Sequence, residues 1–321
     1  MGSTLREKIN YLVVCNLILC MTFVIAIRAS ESKKKYGPVA MMFDKSFLQF
    51  KEGVLRSEGY DVNDPEDIKR AAIESKSYVR DSALVLLAYK TGTKAIPVIK
   101  DALEDTSRYE VRCTAATLLG MFGDKSGLDR MRKDMAEFSK GQDTLEKDIK
   151  EGNFNKENEP YLIDKPPFRR NKKRYALLAA NVLAEFGDCS GYELAAREAI
   201  ENESAMNRTE AACALAWMCK VDEEQRKAKG LFPEDVLLIV AEKETESRNL
   251  FFLNQYIVGI GVKNEKLNRV VDKIVNSPHL SEKHKEHAER VIRGREIQRR
   301  YLEKMKKKKD PNENKDANKK K

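Results

Sequence analysis

The chain has 321 residues, of which 41% are hydrophobic and 35% are charged. This length and composition favour a folded, strongly helical protein with room for a sizeable core. The net charge is +9, but residues 1–35 carry +4 and residues 304–321 carry +6, which leaves −1 for residues 36–303. Because the basic charge belongs to the two ends, it argues against a body that binds nucleic acid.

An apolar segment lies near the start of the chain, within residues 1–30. It runs from Tyr11 to Ile27 behind Arg6 and Lys8. A basic start and an apolar run are typical of a secretory signal peptide, although most such runs have only ~7–15 residues. The run is near the lower limit of the ~17–25 residues that span a bilayer. Two interpretations stay open: a single-pass membrane anchor, which we favour slightly, or a signal whose cleavage leaves a secreted or periplasmic protein.

Two capping helices are predicted within residues 36–76. Apolar residues recur at helical spacing from Pro38 to Ser57. Asp64 and Pro65 then provide an N-cap and a first helical residue for a helix that ends near Ser75.

A repeated unit organises residues 77–278. The stretch from Ala115 to Gly127 returns as Ala179 to Gly191, 64 residues later. Alanines at equivalent places step by 32, 64 and 32 residues, at Ala83, Ala115, Ala179 and Ala211. A fixed period of this length is typical of stacked supersecondary units. We therefore predict an all-α fold, an α-solenoid or superhelix of about five helix pairs with capping helices.

Several positions within the unit resemble those of HEAT repeats. Val79-Arg80-x-x-Ala83 and Val111-Arg112-x-x-Ala115 open the first two units, and Leu119-Gly120-x-x-Gly123-Asp124 ends a first helix. The unit is most similar to the HEAT-like subgroup named after the phycobilisome lyases. That resemblance is informative about fold rather than function, because HEAT-like families include scaffolds, adaptors and a few enzymes.

The resemblance implies two further features. Arg80 and Arg112 would join a ladder of hydrogen bonds between repeats, with acidic or carbonyl partners, and Ala176 would interrupt this ladder in the third unit. The second helix of each pair would line a concave face on which a protein partner binds. Exposed candidates on that face are Lys94, Lys100, Asp129, Arg130 and Lys133.

An insertion at residues 139–171 separates the second and third units. It is rich in Gly, Asn and Pro, and long irregular segments inside compact domains are often functional. A basic cluster follows, formed by Arg169, Arg170, Lys172, Lys173 and Arg174. Its simplest interpretation is a solvated charged surface, and the alternative is contact with anionic lipid or an acidic partner.

The units end with a long connection at residues 221–233 and a fifth helix pair. Residues 279–305 then predict a charged capping helix, and residues 306–321 predict a disordered lysine-rich tail. The tail allows the same two interpretations as the basic cluster.

No catalytic arrangement stands out. All three histidines, His279, His284 and His287, lie after the repeats, so no imidazole is available there to activate a Ser or Cys nucleophile. His284 and His287 share a helix face and could bind a metal, although solvation fits a charged helix better. Cys189 and Cys219 lie near equivalent turns, where a disulfide is conceivable in an oxidising compartment.

We therefore expect a monomeric, non-catalytic scaffold or adaptor that binds another protein at or beyond a membrane, without cofactor or metal. The alternative is an enzyme or cofactor-handling protein like the phycobilisome lyases. Binding of anionic lipid or nucleic acid through the basic ends ranks third. Nucleic acid is disfavoured because aromatic residues do not interleave with the basic runs.

Overall fold

A computed structural model describes residues 42–75, 78–105, 108–140, 172–260 and 265–294. In these ranges the fold is all-α, with no strand. A 3₁₀ turn, Gly92–Ala95, joins the third and fourth helices. The helices are α1 (Lys45–Ser57), α2 (Pro65–Glu74), α3 (Tyr78–Thr91), α4 (Ile96–Leu103), α5 (Tyr109–Met121), α6 (Ser126–Phe138), α7 (Lys172–Glu185), α8 (Tyr192–Glu201), α9 (Ala205–Met218), α10 (Glu223–Ala228), α11 (Pro233–Lys243), α12 (Ser247–Ile260), α13 (Glu265–Val275) and α14 (282–294).

The helices pack against their neighbours in two rows. Helices α3, α5, α7, α9 and α12 contact one another in that order, and we call them the first-row helices. In the second row α2 contacts α4, α4 contacts α6, α8 contacts α11, and α11 contacts α13. The second-row helices also pack on the first row: α2 on α3, α6 on α5 and α7, and α8 on α9.

The two rows differ in how completely they are buried. In α9 every residue from Ala211 to Met218 is buried, so the second half of this first-row helix is enclosed on nearly all sides, whereas its first turns are mostly half-buried or exposed. In α8 the buried residues are Leu194, Ala195, Glu198 and Ala199, which lie on one side of the helix. The first row therefore supplies the core, and the second row covers one side of it.

Glycines allow the two rows to approach closely. A Cβ atom at Gly127, in α6, would lie 2.6 Å from the carbonyl oxygen of Ala116 in α5. Gly191, immediately before α8, repeats the arrangement, because a Cβ there would lie 2.7 Å from the Cβ of Ala180 in α7. The glycines are 64 residues apart, and so are the alanines. The sequence repeat is thus also a repeat in packing.

Two local predictions can be compared with the helix ends. Asp64 caps α2 as predicted, since its side chain accepts a hydrogen bond of 2.9 Å from the Glu66 amide. The connection at 221–233, in contrast, contains a short helix, α10. Asp222 caps it by accepting a 3.0 Å hydrogen bond from the Gln225 amide. Arg226 then fixes α10 to α11 through a buried pair with Glu234, at 2.6 and 2.7 Å.

The prediction of a single-pass membrane anchor, and with it the membrane localisation, is corrected. Among the helices that the structure describes, none combines the length and the apolar character needed to cross a bilayer. The segment that prompted the prediction, residues 1–30, lies outside the described ranges. The anchor is therefore unsupported. Most of the insertion, residues 141–171, and the lysine-rich tail also lie outside them.

Candidate functional site

A ladder of buried and half-buried cations joins the two helices of four successive pairs. Arg112 of α5 donates to the Asp134 carboxylate at 2.9 Å and to the Asp105 carbonyl at 2.9 Å. Arg80 of α3 makes the equivalent contacts one unit earlier, with the Asp105 carboxylate and with the Ala72 carbonyl at 2.9 Å. These are the acidic and carbonyl partners that the HEAT resemblance implied for the two arginines.

The fourth unit continues the ladder through Arg208 of α9, which stands 96 residues after Arg112. Arg208 donates to both oxygens of Glu244 at 2.9 Å and to the Asn202 carbonyl at 3.0 Å. Burial by itself would raise the pKa of Glu244, but hydrogen bonds from Arg208 and Asn249 lower it.

The third unit keeps the ladder despite Ala176. Lys173 lies one turn earlier on α7, and its Nζ is 3.2 Å from the carboxylate of Glu198 in α8. Burial alone would raise the pKa of Glu198, whereas hydrogen bonds from Asn202, Arg197 and Lys173 lower it. The expected interruption is therefore bridged by a different cation. All four rungs join charges to internal partners, so the ladder is structural.

The candidates predicted on the second helices are mostly engaged within the protein. The ammonium of Lys100 lies 2.8 Å from Asp124, and hydrogen bonds from Lys100 and Ser126 lower the pKa of Asp124 to about 2. Asp129 pairs with Arg132 at 2.6 Å. Arg130 joins α4 to α6, because it contacts Glu104 at 2.6 Å and Asp134 at 2.9 Å.

The other two candidates of that set are exposed. Lys94 lies in the 3₁₀ turn rather than in a second helix, and Lys133 lies in α6. Of the basic cluster, Arg169 and Arg170 lie outside the described residues. Lys172 is half-buried at the start of α7, and Lys173 forms the third rung of the ladder. Arg174 is 3.5 Å from Glu110 of α5.

A second surface lies on the side of the first-row helices that points away from the second row. Helical periodicity places residues at i, i+4, i+7 and i+11 on one face. In α5, Ala116 and Leu119 lie toward the opposite side, where α6 packs. We call this surface the first-row face, and its residues in α3, α5, α7 and α9 are Tyr78, Ser82, Val85, Tyr89, Glu110, Thr114, Thr117, Met121, Arg174, Leu178, Asn181, Glu185, Met206, Glu210, Cys213 and Trp217.

Polar side chains on this face connect successive helices. Thr114 of α5 donates to Asp81 of α3. Arg174 of α7 pairs with Glu110 of α5, as described above. Asn181 of α7 donates from Nδ2 to the Glu210 carbonyl at 3.1 Å and to its Oε2 at 3.2 Å. These contacts form a polar stripe from α3 to α9, and apolar residues of the same face, such as Val85 and Leu178, lie between them.

For two carboxyl groups of the stripe, nearby cations do not offset the effect of burial on the pKa. Burial raises the pKa of Glu185 to about 7, although the nearby Lys220 ammonium opposes this shift. Burial also raises the pKa of Glu210, against the influence of Arg174 and with a further contribution from Glu110. Strongly perturbed carboxyl groups are more frequent at functional sites than elsewhere.

Two other ionisable groups stand beside these carboxylates. Burial raises the pKa of Cys213 in α9 and the pKa of Tyr256 in α12 well above their ordinary values. Both also interact electrostatically with Glu185 and Glu210. The site therefore spans three consecutive first-row helices.

One acceptor in this region has no hydrogen-bond partner. Asn181 is only 8% exposed, and its Oδ1 is unpartnered although its Nδ2 makes two hydrogen bonds. Buried polar atoms almost always have partners, so an unpartnered one can mark a ligand position. Sequence reasoning missed this site, although polar residues at positions 181 and 185 of an otherwise apolar repeat helix were a usable signal.

The histidines and the Cys189–Cys219 pair form no comparable centre. His284 Nδ1 is 2.8 Å from Ser247 Oγ, and its ring stacks on Phe251 at 4.7 Å between centroids, so this residue attaches α14 to α12. Cys189 and Cys219 are free thiols in the structure. Within the described ranges, no three potential metal-binding side chains lie together.

Comparison with known proteins adds no relative from which a function could be transferred: no protein-family model, curated protein or solved structure matches this chain.

Proposed function

We propose that residues 77–278 form a HEAT-like solenoid that acts as a non-catalytic scaffold and binds a segment of another protein along the first-row face. The observation that carries this proposal is the contrast between the two surfaces. On the second helices, Lys100, Asp129 and Arg130 are paired with internal partners. The first-row face instead combines an unpartnered buried acceptor with poorly compensated carboxylates.

Exposed apolar side chains on the same face support a protein partner. Tyr78, Tyr89 and Met206 are 54%, 49% and 54% exposed, at the ends of α3 and α9. Aromatic residues and methionine are enriched at protein interfaces, where they bury large areas at low entropic cost. These residues flank the polar stripe, so an extended segment could make apolar contacts at both ends of it.

The proposal is tested by selecting binders from a random peptide library against the full chain. Tyr89→Glu combined with Met206→Glu should weaken the selected peptides at least about tenfold, because a charge replaces a buried apolar contact. The matched control is Ile73→Glu, which introduces the same charge at a 51% exposed position of the second-row helix α2. Equal losses in both proteins would overturn the assignment to the first-row face.

The lyase-like alternative predicts a different result. A cofactor-handling protein should change the absorbance spectrum of a tetrapyrrole when the two are mixed. A stoichiometric spectral shift, combined with failure to select any peptide, would replace the scaffold proposal by an enzymatic one.

A further inference from the structure

We propose that the bound segment carries a lysine or arginine whose cationic group enters an acceptor cluster formed by Asn181, Glu185, Glu210, Cys213 and Tyr256. This inference rests on the proposed scaffold function and specifies the chemistry of the partner. The cluster lies on α7, α9 and α12, and α9 contacts the other two helices.

The orientation of the Asn181 amide is fixed by its surroundings. Its Nδ2 donates to two acceptors of Glu210, the main-chain oxygen and Oε2, and only the NH₂ end of the amide can do so. The Oδ1 atom must therefore point toward a position that no described donor occupies. Because the side chain is more than nine-tenths buried, an external donor that reached Oδ1 would remove an unsatisfied acceptor.

The same position is electrostatically negative. Glu185 lies one turn after Asn181 on the same face of α7, and the influences on its pKa are burial, which raises it, and the Lys220 ammonium, which lowers it. It is also the last residue of α7, where the helix dipole is negative and disfavours a carboxylate. Lys220 lowers the pKa of Glu185 and Arg174 lowers that of Glu210, yet burial outweighs them and the pKa of each carboxyl group remains raised. A further cation is therefore what this site lacks.

Aromatic rings complete the environment. The Lys220 ammonium lies 4.6 Å from the centre of the Trp217 ring, which shows that a cation is accommodated against an aromatic side chain here. Tyr256 adds a second ring and a phenol oxygen beside Cys213. Carboxylates, an amide oxygen and aromatic rings suit an ammonium or guanidinium group, whereas an acidic or neutral segment would leave both carboxylates uncompensated.

The test uses a fluorescein-labelled, end-blocked hexa-arginine peptide, with hexaglutamate and hexaserine as comparisons. Anisotropy titrations with the full chain at pH 8 and 150 mM salt should show binding of hexa-arginine only. Glu185→Gln and Glu210→Gln should each weaken it about tenfold, since each removes one carboxylate of the site. Glu193→Gln removes the same charge from an exposed position of α8 and should change the affinity less than about twofold.

Folding is checked in the same samples by circular dichroism, and neither glutamine variant should be less stable than the parent protein. Equal binding of hexa-arginine by all four proteins, or no binding, would overturn the inference. Binding of hexaglutamate or hexaserine that Tyr89→Glu weakens would overturn it while leaving the scaffold function intact. Spermidine binding with the same dependence on Glu185, without peptide binding, would assign the cluster to a small polyamine and would also overturn it.

Discussion

Glu185 combines three unfavourable circumstances for a charged side chain. It is half-buried, it ends a helix, and its electrostatic support comes from Lys220, whose ammonium lies against Trp217. Desolvation favours the neutral carboxylic acid, which explains why the pKa is raised to about 7 from an ordinary value of 4.5. The side chain therefore costs folding free energy whenever it is ionised.

The pH dependence of stability follows from this shift. Because the pKa is higher in the folded protein than in the unfolded chain, the stabilising contribution is fully present below about pH 4.5 and is lost as the pH rises through about 7. Glu185→Gln imitates the protonated form. The variant should be more stable than the parent at pH 8 by on the order of 1–3 kcal/mol, and nearly equal to it at pH 5.

Urea denaturation at the two pH values measures both differences. Glu193→Gln, on the exposed surface of α8, controls for the change in net charge and should show no such pH dependence. If Glu185→Gln were less stable than the parent at pH 8, the carboxylate would have a favourable partner and the description of this site would be wrong.

The structural roles of some single residues could be predicted from the sequence, and those of others could not. Asp64, Arg80 and Arg112 were found because each occupies a position with a local or repeated pattern, and their partners lie where that pattern requires. Lys173 was assigned to an outward-facing basic cluster, since nothing local reveals that Glu198 approaches it from α8. Glu185 was missed for a similar reason, because its pKa depends on burial by other helices.

At the level of helices, the contacts between the two rows depend on small residues. Gly127 places the start of α6 directly against the main chain of α5, with no space for a Cβ atom. Within the first row, Gly120 on α5 faces the Phe186 ring, which directly follows α7, and the nearest ring atom would be 2.6 Å from an added Cβ. These glycines are needed for the close approach of neighbouring helices.

Gly127→Ala should therefore destabilise the protein although alanine favours helix formation. The added methyl group must push α6 away from Ala116, at a cost of about 1–3 kcal/mol. Gly53→Ala is the matched control, because Gly53 lies inside α1 and an added Cβ would meet nothing within 4 Å. That variant should be more stable by about 0.5–1 kcal/mol. Urea denaturation compares the two, and stabilisation by both substitutions would contradict the proposed contact.

Helices α4 and α10 show what a repeat pattern can and cannot predict. The second helix α4, Ile96–Leu103, is marked in the sequence by Pro97 in its first turn and by its apolar spacing. Helix α10 was missed because it is short and falls outside the 32-residue register. Its position depends on the buried pair between Arg226 and Glu234, which joins residues of two different helices.

For the whole chain, the strongest contacts connect helices that are close in sequence. Each first-row helix contacts the next, and no extensively contacting pair in the described ranges is separated by more than two intervening helices. A protein built in this way has no single interface that joins its two ends. The free energy of unfolding should then be a sum of contributions from single units and from the contacts between neighbouring units. A destabilising substitution in one unit should therefore affect only the units next to it.

Two buried ion pairs, one in the ladder and one that involves the connection at 221–233, allow this expectation to be tested in two different parts of the chain. Arg112 and Asp134 are both almost fully buried near the first end, and Arg226 and Glu234 are equally buried near the other. Breaking a buried pair by removing one partner costs about 3–5 kcal/mol, because the remaining charge stays in the interior. The cost should be smaller for Arg112→Met, because Asp134 keeps its ion pair with Arg130 at 2.9 Å. Arg112→Met should therefore loosen α4 to α6 first, and Arg226→Met should loosen α10 and α11 first.

Hydrogen–deuterium exchange followed by mass spectrometry can locate each effect. In Arg112→Met, the amides of α4, α5 and α6 should exchange faster while those of α11 and α13 keep the protection of the parent protein. In Arg226→Met the amides of α10 and α11 should exchange faster, while those of α3 to α5 should exchange as in the parent protein. Arg132→Met serves as the common control, since its side chain is 46% exposed and its ion pairs with Asp129 and Asp188 should contribute less than about 1 kcal/mol. If both buried variants instead lost protection uniformly from α1 to α13, the chain would unfold as one cooperative unit, and the local, solenoid-like description of its stability would have to be abandoned.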